Sequence, residues 1–263
     1  MLLGKKVVLI SGVGPGMGIK LAVQAAHEGA AGLIVTARGA AKLDDAEAAV
    51  SGAGCSTPVL KMTCDIRDRA QCDAVVSGAV TRFGRIDALV NNGFIHGPSE
   101  RPSVANMDGV REAFETNVVG TMNMTQAVIP QMVTQSAGAI VMVSTMATRK
   151  VVLPIHMAYA MSKDPLGSAV RHLAVELGRK GIRVNISMNG FMWGDVVGPY
   201  VERTARQTGR SAEDVAGEIA GRTALGRIPT DEECARAVLF LVSDYASAVT
   251  GAQLDINGGE WMP

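Results

Sequence analysis

Two side chains in this sequence have the types and spacing to move a proton together. Tyr159 and Lys163 stand four residues apart in the stretch HMAYAMSK. Apolar positions running on at helical spacing to Leu177 predict a helix there, which places both side chains on one face. A phenol with an ordinary pKa of about 10 is a poor acid or base at neutral pH, and a neighbouring ammonium favours the phenolate. The pair on a solvated helix would do nothing, so its meaning depends on what the rest of the chain brings to it. Two hydroxyls, Ser144 and Thr145, precede Tyr159 and close the apolar run GAIVMVST. Asn117 lies among apolar neighbours in TNVVG, where a helix interior disfavours it. It reads either as a satisfied buried amide or as the holder of a water in a proton relay.

The elements that must position these groups begin at the N-terminus. Residues 5–11 (KKVVLIS) form a continuous β-branched run of the kind buried on both faces of a parallel sheet. A turn with Gly12, Gly14, Gly16, Met17 and Gly18 follows and opens into an expected helix at 19–29. Strand, glycine turn and helix N-terminus make an anion site, with backbone N–H groups and the positive helix end facing a pyrophosphate. The next strand, 32–37, ends at Arg38, where a carboxylate would bind the ribose 2′-hydroxyl of NAD. An arginine there suits a 2′-phosphate, so NADP(H) is favoured and NAD(H) remains open.

A helix at 41–53 leads to a third strand at 58–64 and then Asp65 and Ile66; the Asp65 carboxylate is either an acceptor for an adenine amino group or a helix cap. A fourth strand, 86–90, runs into Asn91, Asn92 and Gly93. A long helical stretch covers 107–135, a fifth strand 138–145, a sixth 181–188, and a last strand 248–256. After the sixth come Asn189, Gly190, Phe191, Met192 and Trp193. The charge-rich segment at about 190–228 is a candidate lid. Alternating strands and helices of these lengths predict an α/β fold, a single-domain doubly wound parallel sheet of about seven strands with helices on both faces, spanning 1–263. Ligands of such a sheet sit beyond the strands' carboxyl ends, and every polar or glycine-rich cluster named above follows a strand.

Composition narrows the classes. Lys plus Arg equal Asp plus Glu at 25 each, which argues against a nucleic-acid partner. No apolar run reaches the roughly 18 to 20 residues of a membrane span, and Met1 leads directly into a strand-like run, so no membrane and no signal peptide are expected. Cys55, Cys64, Cys72 and Cys234 lack metal-ligand spacing; a reduced, cytoplasmic chain without a metal site is the expectation. Fourteen methionines suit an adaptable apolar pocket.

Taken together these residues resemble the short-chain dehydrogenase/reductase family over essentially the whole chain. Gly12-x-x-x-Gly16-x-Gly18 looks like its cofactor turn, Asp65-Ile66 its adenine contact, Asp87-x-Leu89-Val90-Asn91-Asn92 its fourth-strand signature, Tyr159-x-x-x-Lys163 its catalytic pair and Asn117 its helix asparagine. Arg183-Val184-Asn185 and Gly258-Gly259 fit the remainder. The resemblance implies hydride transfer between a nicotinamide and a ketone or secondary alcohol. Tyr159 would exchange the proton, Lys163 would lower its pKa and hold the nicotinamide ribose, Thr145 or Ser144 would bind the substrate oxygen, and Asn117 would hold a relay water. It also implies a homo-oligomer, a dimer or tetramer paired through the helices near 107–135 and 157–179. Met146, Met157, Phe191, Met192 and Trp193 flank the catalytic positions, which points to a bulky apolar substrate. The alternative is a non-catalytic dinucleotide-binding sensor or scaffold.

Four features depart from the family pattern. The hydroxyl is a Thr and one residue farther from Tyr159 than usual, Gly93-Phe94 replaces Ala-Gly, Asn189 replaces a proline, and Pro165 stands two residues beyond Lys163.

Overall fold

Strands without polar alternation have to be covered on both faces, and the chain supplies helices for that purpose between them. The computed structural model describes residues 1–263. Its strands are β1 (Val7–Ser11), β2 (Gly32–Ala37), β3 (Val59–Thr63), β4 (Ala88–Asn91), β5 (Gly138–Thr145), β6 (Ile182–Asn189) and β7 (Gln253–Ile256). They form one seven-stranded sheet in the order β3-β2-β1-β4-β5-β6-β7, and every pairing is parallel. The winding reverses between β1 and β4, which opens a crevice at their carboxyl ends.

The helices are α1 (Met17–His27), α2 (Ala40–Gly52), α3 (Arg69–Phe83), α4 (Met107–Phe114), α5 (Thr121–Gln135), α6 (Met157–Lys163), α7 (Pro165–Leu177), α8 (Val197–Thr208), α9 (Ala212–Ala220) and α10 (Asp231–Val242). Alternation along β1 divides the core. Val8 and Ile10 face α1, α2 and α10, whereas Val7 and Leu9 face α3, α5 and α7. Leu9 and Ile10 are wholly buried, each contributing about 2 kcal/mol of transfer free energy. The site edge is thereby held by two packed layers.

Local departures from the expected elements have physical causes. The helix expected at 107–135 is interrupted by a π-type turn over Glu115–Gly120, centred on Asn117. The Asn117 carboxamide accepts from the Ile95 N–H (2.9 Å) and donates to the Ile95 carbonyl (2.8 Å) and Ser162 Oγ (2.8 Å). The widened turn accompanies a side chain committed to a neighbouring loop and helix. Pro165 produces no kink of consequence, because it occupies the first position of α7, where an N–H has no intrahelical partner anyway. Asp164 keeps right-handed helical angles (φ −63°, ψ −41°), so α6 runs straight into α7. The last strand is shorter than expected, since Gly251 takes a positive φ of 71° just before it.

The segment expected to be a lid folds as α8 and α9 around a small core of its own: Val197, Val201, Ala205, Val215, Ile219 and Ile228. Its periodicity, every fourth residue from Val197 to Ala205, is sparse but real. The segment's start is tied to the body by backbone bonds from Trp193 N–H to the Pro229 carbonyl (2.8 Å) and from Asp231 N–H to the Trp193 carbonyl (3.1 Å).

Candidate active site

Successive residues of a strand point to opposite faces, and β5 uses this to separate its two terminal hydroxyls. Ser144 is buried and its Oγ donates to the Lys163 carbonyl (3.4 Å). The Thr145 hydroxyl lies beside the Tyr159 phenol. The residue that lengthens the Thr145–Tyr159 spacing is absorbed in the loop between two single 3₁₀ turns, Met146–Thr148 and Pro154–His156, where Val151 projects into solvent. Thr145 and Tyr159 therefore meet despite the altered spacing.

Lys163 is 2 % exposed, and its Nζ donates to the Val143 carbonyl (2.8 Å) and lies 5.4 Å from the centre of the Phe94 ring. Burial pushes the Tyr159 phenol up to about 12, with the Thr145 hydroxyl pulling the other way, and brings the Lys163 ammonium down to about 7. The expected effect, an ammonium lowering the phenol's pKa, does not enter; desolvation favours the neutral form of each group. Tyr159 is consequently a phenol with its proton in place, suited to donating it to a carbonyl oxygen.

These groups line a cleft of about 430 Å³ that runs from the glycine turn past Tyr159 to α8. One wall is aromatic. The Phe94, His96 and Tyr159 rings lie 4.8–5.3 Å apart between centres, and His156 is 5.5 Å from His96. Burial lowers the pKa of both imidazoles, so they stay neutral to lower pH than a free histidine. The facing wall carries Phe191 stacked on Tyr200 (6.0 Å), with Met192 and Val197.

A second cleft, about 210 Å³, adjoins the first at Pro15, Asn92 and Phe94 and holds Gly12, Gly14, Arg38, Lys42, Asp65, Ile66 and Gly93. The glycine turn admits no side chain at two of its positions. A Cβ on Gly12 would stand 2.3 Å from the Gly93 backbone, and one on Gly18 would stand 2.8 Å from the Gly12 carbonyl. Ser11 Oγ and Thr116 Oγ1 in this cleft, and Asn189 Oδ1 in the first, are buried polar atoms without a protein partner. A glycine cradle at a helix N-terminus and unpartnered polar atoms fit a dinucleotide, and two cations stand at the far end.

Not every expected contact reaches the clefts. Asn91 is buried and donates to Thr125 Oγ1 (3.0 Å), so it joins β4 to α5 rather than facing the cofactor crevice. Asn92 lines both clefts and secures the turn by donating to the Gly12 carbonyl (2.7 Å). Asn117 has no exposure and both its N–H donors are engaged, so its side chain cannot donate to a relay water. Asp65 lines the adenosine-side cleft and is gripped by Arg67 (2.6 Å), which keeps its carboxyl below the usual range. Asp68, by contrast, caps α3. Asn189, where the family pattern has a proline, is hydrogen-bonded on the sheet edge. It donates to the Ser144 carbonyl (3.3 Å) and Ser187 Oγ (3.2 Å), while Gly190 passes so close to Asn257 that a Cβ would stand 2.9 Å away.

Residues 12–260 match the family model described as enoyl-(acyl carrier protein) reductase. The chain belongs to the short-chain dehydrogenase/reductase family. It is an oxidoreductase of that family, in line with its likeness to oxidoreductase UcpA of Salmonella typhimurium, 33% identical over 261 residues that cover 98% of this chain and 95% of the relative. Solved family structures superpose closely. NAD+-bound xylitol dehydrogenase is 29% identical with a TM-score of 0.88, covering 98% of this chain and 100% of that one. An actinorhodin polyketide ketoreductase variant with NADPH is 27% identical with a TM-score of 0.87, covering 97% of each. Both cofactors are thus found among this chain's structural neighbours in the family.

Several residues that line the two clefts were not among those expected from the sequence. Lys42, four residues past Arg38 on the first turn of α2, supplies a second cation to the adenosine-side cleft, with its side chain against Gly14. Its signal, a basic residue one helical turn beyond a strand-end arginine, was available. His96, His156 and Arg203 offered none, because loops and the lid bring them to the cleft.

Proposed function

We propose that this protein is an NADP(H)-dependent carbonyl reductase, or alcohol dehydrogenase in reverse, acting on a bulky and largely apolar ketone or secondary alcohol. The observation that carries the reading is the meeting of Tyr159, Thr145 and Lys163 in a cleft continuous with the glycine turn. The dinucleotide, when bound, supplies or accepts the hydride. The chain's own residues do the rest. Thr145 donates to the substrate oxygen, and Tyr159 delivers its proton to that oxygen as the carbonyl becomes an alcohol. Lys163 is fixed by the Val143 carbonyl, which leaves its other N–H groups for the nicotinamide ribose and for replacing the tyrosine's proton. Arg38 with Lys42 supports the preference for the 2′-phosphate. Phe191, Met192, Leu153 and Val197 support an apolar substrate.

The site-residue roles follow that assignment. Gly12, Gly14, Gly16, Met17 and Gly18 hold the pyrophosphate, Asp65, Ile66 and Gly93 the adenosine, and Asn189, Gly190 and Met192 the nicotinamide. Exposed Val119, Val133, Met161 and Val175 on the two long helical stretches support pairing into a dimer or tetramer, which sedimentation would register and a monomer would refute. Four free cysteines support a reducing, cytoplasmic setting, and no helix is long and apolar enough to cross a membrane. The reading is tested by following nicotinamide absorbance with a panel of aliphatic, alicyclic and polycyclic ketones, offering NADPH and NADH separately. Turnover with NADPH at higher kcat/KM is expected. Cofactor binding without turnover of any ketone would instead favour a sensor or scaffold.

A further inference from the structure

A turn that offers backbone N–H groups to an anion is fenced in this protein by carboxylates. The N-cap residue of α1, Gly16, receives no capping bond from a side chain of its own turn. Its N–H donates across the cleft to Oδ2 of Asp195 at 3.3 Å. Asp195 is exposed and stands between β6 and α8, on the stretch whose neighbour Trp193 is bonded to the start of α10. The adjoining Val196 packs on the same turn, its Cγ2 lying 3.3 Å from where a Gly16 Cβ would be. The lid thus begins with a carboxylate seated on the anion site.

Asp231 stands behind it. This first residue of α10 is 5 % exposed, lines the main cleft, and its Oδ2 has no hydrogen-bond partner. That oxygen lies where only glycine fits opposite, since a Cβ on Gly194 would come within van der Waals overlap of it, and it is 4.0 Å from the Cβ position of Gly16. The charged groups facing Asp231 are Lys20 from α1, Asp195 from the lid and Glu232 from α10 itself. Lys20 is already paired with Glu232 at 3.2 Å. Three carboxylates therefore face one ammonium beside a turn that the dinucleotide reading assigns to a pyrophosphate. Burial, helped by Asp195 and Glu232, raises the pKa of Asp231.

We propose that Asp195, backed by Asp231, competes with the dinucleotide's pyrophosphate for the N-terminus of α1, so that these two carboxylates set cofactor affinity and couple it to release of the lid's first residues. The proposal rests on the dinucleotide-binding reading. An entering pyrophosphate takes the Gly16 N–H from Asp195 and meets the carboxylate of Asp231, and each cost falls when an amide replaces that carboxylate. Asp195 then leaves the turn when the cofactor arrives.

Fluorescence titration of the full-length protein with NADPH and with NADH tests this, with adenosine as a ligand that has no phosphoryl group. Asp195→Asn keeps an acceptor for Gly16 but removes the charge, and at an exposed position it leaves the fold intact. It is expected to bind both dinucleotides about fivefold tighter than wild type, adenosine being unchanged. Asp231→Asn shifts affinity in the same direction. Equal or weaker dinucleotide binding by Asp195→Asn, with wild type binding normally, overturns the inference alone. Absence of dinucleotide binding in every protein overturns the functional reading with it.

Discussion

Two neighbouring hydroxyls at the end of β5 are chemically alike and sterically opposite, and the distinction is testable. Thr145 lies beside Tyr159, whereas Ser144 bonds to the Lys163 carbonyl. Thr145→Val preserves shape and removes the donor that the proposed mechanism assigns to the substrate oxygen, so kcat should fall about 100-fold. Ser144→Ala loses one neutral hydrogen bond and should leave kcat within about tenfold. Steady-state rates of the two variants decide between them. Lys163 supplies a prediction with a definite sign. Its pKa is 10.5 in the unfolded chain and about 7 in the folded one. Below pH 7 both states hold the proton and the burial penalty is constant. Between 7 and 10.5 only the unfolded chain holds it, so raising the pH favours the folded state. Urea denaturation should show wild type gaining on Lys163→Met by about 1.4 kcal/mol per pH unit across that interval. A stability difference that does not change from pH 7 to 9 would contradict it.

At the scale of elements, the π-type turn between α4 and α5 holds the aromatic wall through a single side chain. Asn117 satisfies both backbone groups of Ile95, the residue between Phe94 and His96. Asn117→Ala leaves both half-buried Ile95 groups without their partner, while Ser162 Oγ keeps its bond to the Tyr159 carbonyl, and should cost about 2–4 kcal/mol in chemical denaturation. Much of this element level was legible beforehand. Seven strand-like runs, the glycine turn and the polar strand ends specify the sheet and its functional edge, because burial on both faces leaves a strong local signal in composition. The boundary between α6 and α7 at Asp164, which lets Pro165 sit at a helix start, carries no such signal. Asn91 and Asn117 were legible as unusual polar residues but not in role, since their partners, Thr125 and Ile95, come from other elements. The bond from Gly16 to Asp195 joins residues 179 positions apart, and nothing periodic announces it.

Across the whole molecule, one edge of one sheet gathers everything the chemistry needs. The two clefts meet over the carboxyl ends of β1 and β4, with cations Arg38 and Lys42 at one end and the aromatic and lid walls at the other. The Lys163 ammonium lies beside the Phe94 ring, and burial raises the pKa of the Tyr159 phenol. The account stands or falls on the proton held by that phenol. Its most direct test is NADPH-dependent ketone reduction by wild type and Tyr159→Phe, with cofactor affinity measured on the same preparations. The expected result is a loss in kcat of about 10² to 10⁴ with the NADPH dissociation constant unchanged. Equal rates in the two proteins would contradict it.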